Sequence, residues 1–180
     1  MTPYWVEEIE EEIGPEEVEL AEQVEDVQEG EENETTSPGN AAQVPERVLV
    51  VQTAAATTRL IRETLENFTQ AEVVTTSDPL RGFELALQKE YRLFLFGMQV
   101  GELSGPMLYE LISKTYSSGW APARLAPAVI FIRDAEDPRL PEELTRDVRV
   151  KDVINKPVRI DRLLQTVGES IEVLDPTSRT

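Results

Sequence analysis

Five short apolar runs, separated by segments with helical periodicity, constrain the fold of this chain more than any other feature. The runs lie at residues 48–51, 72–76, 93–96, 129–132 and 152–154. Strands that are apolar along their whole length are typical of parallel sheets with both faces covered. Because right-handed crossovers leave few ways to wind such a chain, the sequence predicts an α/β fold. We expect a doubly wound, flavodoxin-like sheet of five parallel strands in the order 2-1-3-4-5.

The intervening segments carry apolar residues three or four positions apart, which indicates amphipathic helices. The predicted helices cover about 57–68, 77–90, 104–115, 141–147 and 158–174. Pro79 and its neighbours Ser77 and Asp78 form a helix start. The apolar residues expected to face the core include Leu80, Leu111 and Ile160.

The acidic charge is concentrated in the first quarter of the chain. Of 35 Asp and Glu residues, 16 lie within residues 1–46, which contain no Lys or Arg, whereas the formal net charge of the whole chain is −18. Such a segment buries too little apolar surface to offset its ordering entropy. We therefore divide the chain into an acidic, largely disordered tail and linker at 1–46, a globular domain at 47–174 and a short C-terminal tail at 175–180. An alternative for the first segment is folding on a partner through the Trp5, Ile9 and Ile13 stripe.

The composition excludes several classes of function. The chain has no Cys and no His, which excludes a disulfide framework, a Cys or His zinc site and a Ser-His-Asp triad. The acidic balance disfavours binding to a nucleic-acid backbone, and no apolar run is long enough for a membrane span. The N-terminus lacks the features of a secretory signal, so we expect a cytoplasmic protein. We also expect that it binds no metal and no cofactor.

Four segments of the globular part resemble the receiver domain of bacterial two-component response regulators. EVVTTSDPLRGFELALQKEYRLFLFGMQVGELSG is similar to the second and third strands of that family with the helix between them. VLVVQTAAATTRLIRETLE is similar to the first strand and helix of that family, and AVIFIRDAED to its fourth strand and exit. The most specific segment is VINKPV, because a Lys-Pro after the fifth strand is a hallmark of the family. The resemblance covers about residues 47–174 and implies a cis bond before Pro157. The stretch between Gly97 and Arg133 is longer than usual in the family, and we assign the insertion to the loop carrying Trp120.

The resemblance implies a phosphorylation site, but this sequence departs from it at nearly every position. The acidic pair that holds Mg²⁺ in the family corresponds to Gln52 and Thr53, and the phosphoacceptor Asp corresponds to Gly97. In the family, a hydroxyl residue after the fourth strand and a lysine after the fifth bind the phosphoryl oxygens. Arg133 stands at the position of that hydroxyl residue, and the lysine is retained as Lys156. The aromatic switch position corresponds to Val153. Because amide and hydroxyl groups replace the anionic ligands, we expect neither aspartyl phosphorylation nor Mg²⁺ binding.

Two further acidic residues stand near these strand ends, and two cations lie where the family has three carboxylates close by. Glu102 and Asp134 could approach the pocket, although neither stands at a strand end. Arg133 and Lys156 could converge on an anionic ligand, or Arg133 could pair with one of the two acids. A third interpretation is that these cations have no special role and that Lys156 forms only a local salt bridge.

The sequence therefore predicts a degenerate receiver-like domain that acts as a phosphorylation-independent protein-interaction module in bacterial signalling, and not as an enzyme. Only six residues follow Leu174, so we expect no DNA-binding effector there. The partners are proteins, and a homodimer through the face of the fourth and fifth strands is one arrangement. That face carries a series of basic residues: Arg139, Arg146, Arg149, Lys151, Arg159 and Arg162. The alternative function is a small-ligand- or nucleotide-responsive domain that uses the Arg133 and Lys156 pocket.

Overall fold

The structure, a computed structural model, describes residues 46–119 and 126–174. All of them belong to one compact unit that spans residues 40–180. The predictions for the acidic segment, for the Trp120 insertion and for residues 175–180 lie outside the described residues. No helix in the described ranges has the length and apolar character needed to cross a membrane.

Five parallel strands form the central sheet. They are β1 (Arg47–Val51), β2 (Glu72–Thr76), β3 (Leu93–Gly97), β6 (Ala128–Arg133) and β7 (Val150–Asn155). Their order is β2-β1-β3-β6-β7, and every neighbouring pair is parallel. In chain order of the sheet strands this is 2-1-3-4-5, so the predicted topology is confirmed. Two short strands, β4 (Gln99–Val100) and β5 (Leu103–Ser104), form a separate antiparallel hairpin that the sequence did not predict.

The described residues form five helices, of which four lie between strands and the last follows β7. They are α1 (Ala55–Phe68), α2 (Pro79–Gln88), α3 (Gly105–Ser117), α4 (Glu142–Thr145) and α5 (Ile160–Val167). The Asp78 side chain caps α2 by accepting a hydrogen bond from the Leu80 amide, and Ser104 caps α3 in the same way through the Met107 amide. Such caps satisfy amide groups that have no partner within the helix.

The last helix is shorter than the sequence predicted. It ends at Val167 and is followed by Gly168, a residue that commonly stops helices. The chain then turns back to the end of α1, where the Leu174 amide donates to the Phe68 carbonyl at 2.7 Å. Ile171 is buried as predicted, although in this segment and not in a helix.

The core lies in two layers, one on each face of the sheet. Val51, Phe96 and Phe131 face a layer that includes residues of α2, α3 and α4. Val50, Leu95 and Ile132 face the other layer, which includes residues of α1 and α5. This alternation follows from the two-residue period of a strand and fixes which side chains meet beyond the strand ends.

Three residues expected in the core are exposed. Leu80 is 63% exposed, Leu111 43% and Ile160 44%. On α3 the inward stripe consists of Leu108, Tyr109, Ile112 and Tyr116. Two tyrosines therefore take inward positions, and Leu111 is rotated away from the sheet.

Candidate functional site

The positions singled out in the sequence end their strands at one edge of the sheet. Gln52 directly follows β1, Gly97 is the last residue of β3, and Arg133 is the last residue of β6. Lys156 directly follows β7. Because the strands are parallel, these residues all lie at the carboxyl edge, where doubly wound folds bind their ligands.

The side chain of Gln52 occupies the space beside Gly97. A Cβ atom placed on Gly97 would lie 3.0 Å from both Nε2 and Oε1 of Gln52 and 3.1 Å from its Cδ. Gln52 is 3% exposed, so its amide is part of the interior. Both residues lie on the α1 and α5 face of the sheet, since they continue the alternation of Val50 and Leu95.

Gln52 is held at this position by one side-chain and two backbone contacts. Its side-chain Oε1 accepts a hydrogen bond from the Ala54 backbone amide at 3.3 Å, and its backbone amide donates to the Thr76 carbonyl at 3.1 Å. The Thr58 hydroxyl donates to the Gln52 carbonyl at 3.3 Å. The Nε2 group is buried and has no partner among the described residues. The adjacent Thr53 is exposed, so only one of the two positions of the family's acidic pair turns inward.

The backbone of Gly97 is enclosed from the opposite side by the start of α3. A Cβ atom on Gly105 would lie 2.0 Å from the Gly97 carbonyl oxygen, and the Gly105 amide donates to the Met98 carbonyl. Glycine is therefore required at position 105. No sequence signal other than its place between Ser104 and Pro106 pointed to this contact.

Lys156 forms an ion pair instead of facing an open pocket. Its Nζ lies 2.7 Å from Oδ2 of Asp134, and the Lys156 side chain is 18% exposed. The Lys156 amide donates to the Arg133 carbonyl at 2.8 Å, which holds the end of β7 against the end of β6. The Lys156–Pro157 bond is cis, as the resemblance implied.

Arg133 and Lys156 turn to opposite faces of the sheet. Arg133 continues the alternation of Val129 and Phe131 and so lies on the α3 and α4 face. Lys156 follows Ile154 on the other face. The two cations thus do not form the shared pocket that the sequence suggested. Among the described residues, neither Asp134 nor Glu102 pairs with Arg133, whose Nε is buried without an acceptor.

Val153 lies within β7 and packs partly buried against the α3 layer. Its register partner is Phe131, whose ring meets Tyr109 edge-on at 6.1 Å between centroids. Val153 stands at the position where the family has an aromatic switch residue. Valine has no ring that could move between two positions.

A cluster that the sequence did not reveal joins α3 to the segment before β7. The Tyr109 hydroxyl donates to Asp147 at 3.1 Å, and Arg149 donates to the same carboxylate. Burial raises the pKa of Tyr109 to about 12. The hydrogen bond from Arg149 is the largest cause that lowers the pKa of Asp147. Tyr109 and Asp147 are 38 positions apart, and no periodicity in the sequence links them.

Most of the predicted basic face is neutralised by neighbouring carboxylates. The ion pairs are Arg146 with Glu142, Arg149 with Asp147, Arg159 with Asp161, and Arg162 with Asp152. Arg139 and Lys151 form no ion pair within 46–119 and 126–174. The same ranges contain no group of three or more acidic side chains arranged to hold a metal ion.

Comparison with solved structures gives many strong matches of the same kind. A response regulator receiver domain protein from Clostridium thermocellum is 19% identical, with a TM-score of 0.54 and coverage of 70% of this chain and 94% of that chain. The receiver domain of a putative LuxO repressor protein from Vibrio parahaemolyticus is 16% identical, with a TM-score of 0.58 and coverage of 70% and 89%. The chain has the receiver fold.

A third structure with this receiver fold belongs to a different kind of sensor. It is described as one of a family of redox sensors in the streptococci that evolved from two-component response regulators. It is 22% identical, with a TM-score of 0.54 and coverage of 69% of this chain and 50% of that one. No family model and no curated protein matches the sequence.

Proposed function

We propose that this chain is a phosphorylation-independent, receiver-like module that acts through protein contacts in bacterial signalling. The observation that carries the proposal is the Gln52 amide, which contacts the position where a phosphoacceptor side chain would begin on Gly97. The same residue stands where the family places a metal-binding carboxylate. One substitution thus both removes a ligand and fills the site.

The residue types at the carboxyl edge of the sheet support the loss of phosphotransfer. A phosphoryl group needs a carboxylate to accept it and a hard cation to offset its charge, and Mg²⁺ prefers anionic oxygen ligands. The position of the acceptor has no side chain, and those of the metal ligands carry an amide and a hydroxyl. Lys156, which contacts the phosphoryl oxygens in the family, is committed to Asp134. We therefore infer a regulatory protein and not an enzyme.

One similar structure supports a role that does not rest on phosphotransfer. The streptococcal redox sensors are described as derived from response regulators, so this fold has acquired another input in at least one family. This chain has no cysteine, so a redox input through a thiol is excluded for it.

The surface of α4, β7 and α5 is the contact region that we propose, for a cytoplasmic protein partner or for a second copy of the chain. Its paired charges leave a nearly neutral surface, on which Arg139 and Lys151 have no ion-pair partner among the residues that the structure describes. Val148, in the turn before β7, is 86% exposed and adds an apolar contact point.

Treatment with acetyl phosphate and Mg²⁺, followed by intact-protein mass spectrometry, tests the proposal. We expect the native chain to gain no phosphoryl adduct. The matched control carries Gln52→Asp, Thr53→Asp and Gly97→Asp, which rebuild the acidic set, and any adduct on it shows that the conditions are competent. A stoichiometric adduct on an acidic side chain of the native chain, mapped by borohydride trapping, would show that the proposal is wrong.

A further inference from the structure

Arg133 is the strand-end residue to which the proposed function gives no role. Its side chain is only partly exposed, and its Nε is buried. Within residues 46–119 and 126–174, no acceptor lies within hydrogen-bonding distance of that Nε. A buried N–H donor without an acceptor is costly, so this arrangement calls for an explanation.

The chain's other cations show how unusual this arrangement is. Most of the described lysines and arginines pair with a carboxylate, and Arg92 donates to the Ser170 carbonyl instead. Of the three acidic side chains that follow Arg133 in sequence, Asp134 and Asp137 are engaged, whereas the exposed Glu136 forms no hydrogen bond or ion pair among the described residues. Asp134 binds Lys156, and Asp137 accepts a hydrogen bond from the Asp134 amide at 2.7 Å. Asp134 and Asp137 thus use their carboxylates elsewhere, and none of the three acids pairs with the guanidinium.

A second donor lies beside Arg133. Asn155 is its register partner on β7, so the two side chains leave the same face of the sheet at the same level. Asn155 is exposed, and its side-chain amide carries two N–H groups. A guanidinium and an amide next to each other, at the carboxyl edge of a doubly wound sheet, present several N–H donors to the same volume.

We propose that Arg133, assisted by Asn155, binds an oxyanion of a small ligand, either a carboxylate or a phosphate group. The Nε is covered by protein atoms, so the two Nη groups are the donors that can reach the ligand. Their N–H bonds lie in the plane of the guanidinium and match two oxygens of such a group, and charge-assisted bonds of this kind are the strong ones. The site differs from the two-cation pocket suggested by the sequence, since Lys156 lies on the other face. It also stands apart from the proposed loss of phosphotransfer, because reversible binding at Arg133 involves neither Gly97 nor Mg²⁺.

Nuclear magnetic resonance of the full chain with ¹⁵N-labelled arginine tests this site. The Arg133 Nε–H signal is assigned by its loss in Arg133→Lys, and the native chain is titrated with inorganic phosphate and, separately, with acetate at constant ionic strength. We expect a saturable shift of that signal with at least one of the two anions, and the one that saturates identifies the class of oxyanion. Asn155→Ala should weaken binding about threefold to tenfold, the loss of roughly one hydrogen bond.

Two arginine variants, one that keeps the charge and one that removes it, separate binding from general electrostatics. Backbone amides near 133 and 155 report binding in all variants; Arg133→Lys should weaken it at least about tenfold, since it keeps the charge and loses the paired donors. Arg139→Gln is the matched control, because it removes an arginine from the loop that follows β6, one that has no ion pair among the described residues, and it should bind as the native chain does. The proposal is overturned if neither anion gives a saturable shift, or if Arg139→Gln weakens binding as much as Arg133→Lys. A covalent phosphoryl adduct would be seen by mass and would contradict only the proposed function.

Discussion

Adding a single methyl group at Gly97 should destabilise the protein, and the reason is the Gln52 side chain. The new Cβ would lie 3.0 Å from two atoms of Gln52, closer than ordinary van der Waals contact. Gln52 is buried, so it cannot yield by moving into solvent. Overpacking of a buried site costs about 1–3 kcal/mol, whereas replacing glycine with alanine in an extended strand recovers about 0.4–1 kcal/mol from the unfolded state. We expect Gly97→Ala to lower the free energy of unfolding by about 1–2 kcal/mol.

The same contact predicts a strong coupling between the two positions. In Gln52→Ala the obstructing amide and its unpartnered Nε2 are both absent, so a Cβ on Gly97 meets no such obstacle. A double-mutant cycle of Gln52→Ala and Gly97→Ala, measured by urea unfolding of the full chain, should give a coupling energy of about 1–2 kcal/mol in favour of the double variant.

The control cycle replaces Gln52→Ala with Thr53→Ala. Thr53 is the neighbouring strand-end residue but is exposed, so its cycle with Gly97→Ala should be additive to within about 0.5 kcal/mol. The reasoning is refuted if Gly97→Ala is neutral or stabilising on its own, or if the two cycles give equal coupling.

Three further predictions concern residues around the site. Gly105→Ala should destabilise by about 3 kcal/mol or more in urea unfolding, because its Cβ would overlap the Gly97 carbonyl, and a mild effect would contradict the geometry at the start of α3. Lys156→Met and Asp134→Asn should show a coupling energy below about 1 kcal/mol, since the Asp134 side chain is 55% exposed, and a larger value would reveal a role beyond a surface ion pair. Tyr109 stays neutral in the folded state up to a pKa of about 12, against 10.0 for an unperturbed tyrosine, so its contribution to stability is complete below pH 10 and is lost as the pH rises towards 12. Tyr109→Phe should remove that alkaline dependence, and an unchanged profile would assign it to other groups.

The sheet was predictable from the sequence because three of its strands, β1, β3 and β6, carry buried apolar residues on both faces. Runs such as 93–96 have no polar alternation, and only a parallel sheet with two covered faces accommodates them. The β4–β5 hairpin was not predictable, since each of its strands has two residues and leaves no periodic signal. Its turn contains Gly101 at φ 65°, a conformation that favours glycine.

The site was predictable in position but not in geometry. The strand ends could be located from the sequence, and the resemblance supplied the roles of Gly97 and Lys156. Which face each side chain leaves depends on strand register, and a shift of one residue reverses it. For that reason the sequence suggested that Arg133 and Lys156 converge, whereas the sheet separates them. The packing of Gln52 against Gly97 likewise requires knowing that β1 and β3 are neighbours with a defined register.

The most direct test of the central claim is a ¹H–¹⁵N correlation spectrum of the full chain with and without beryllofluoride and Mg²⁺. Beryllofluoride forms a complex with an acidic acceptor only when a metal is bound beside it, so the experiment examines acceptor and metal site together. If Gln52 fills the site, the amide signals of residues 52–53, 97–98, 133–134 and 156 stay unchanged at saturating additive. Saturable shifts confined to those amides, dependent on both beryllofluoride and Mg²⁺, would contradict a phosphorylation-independent module.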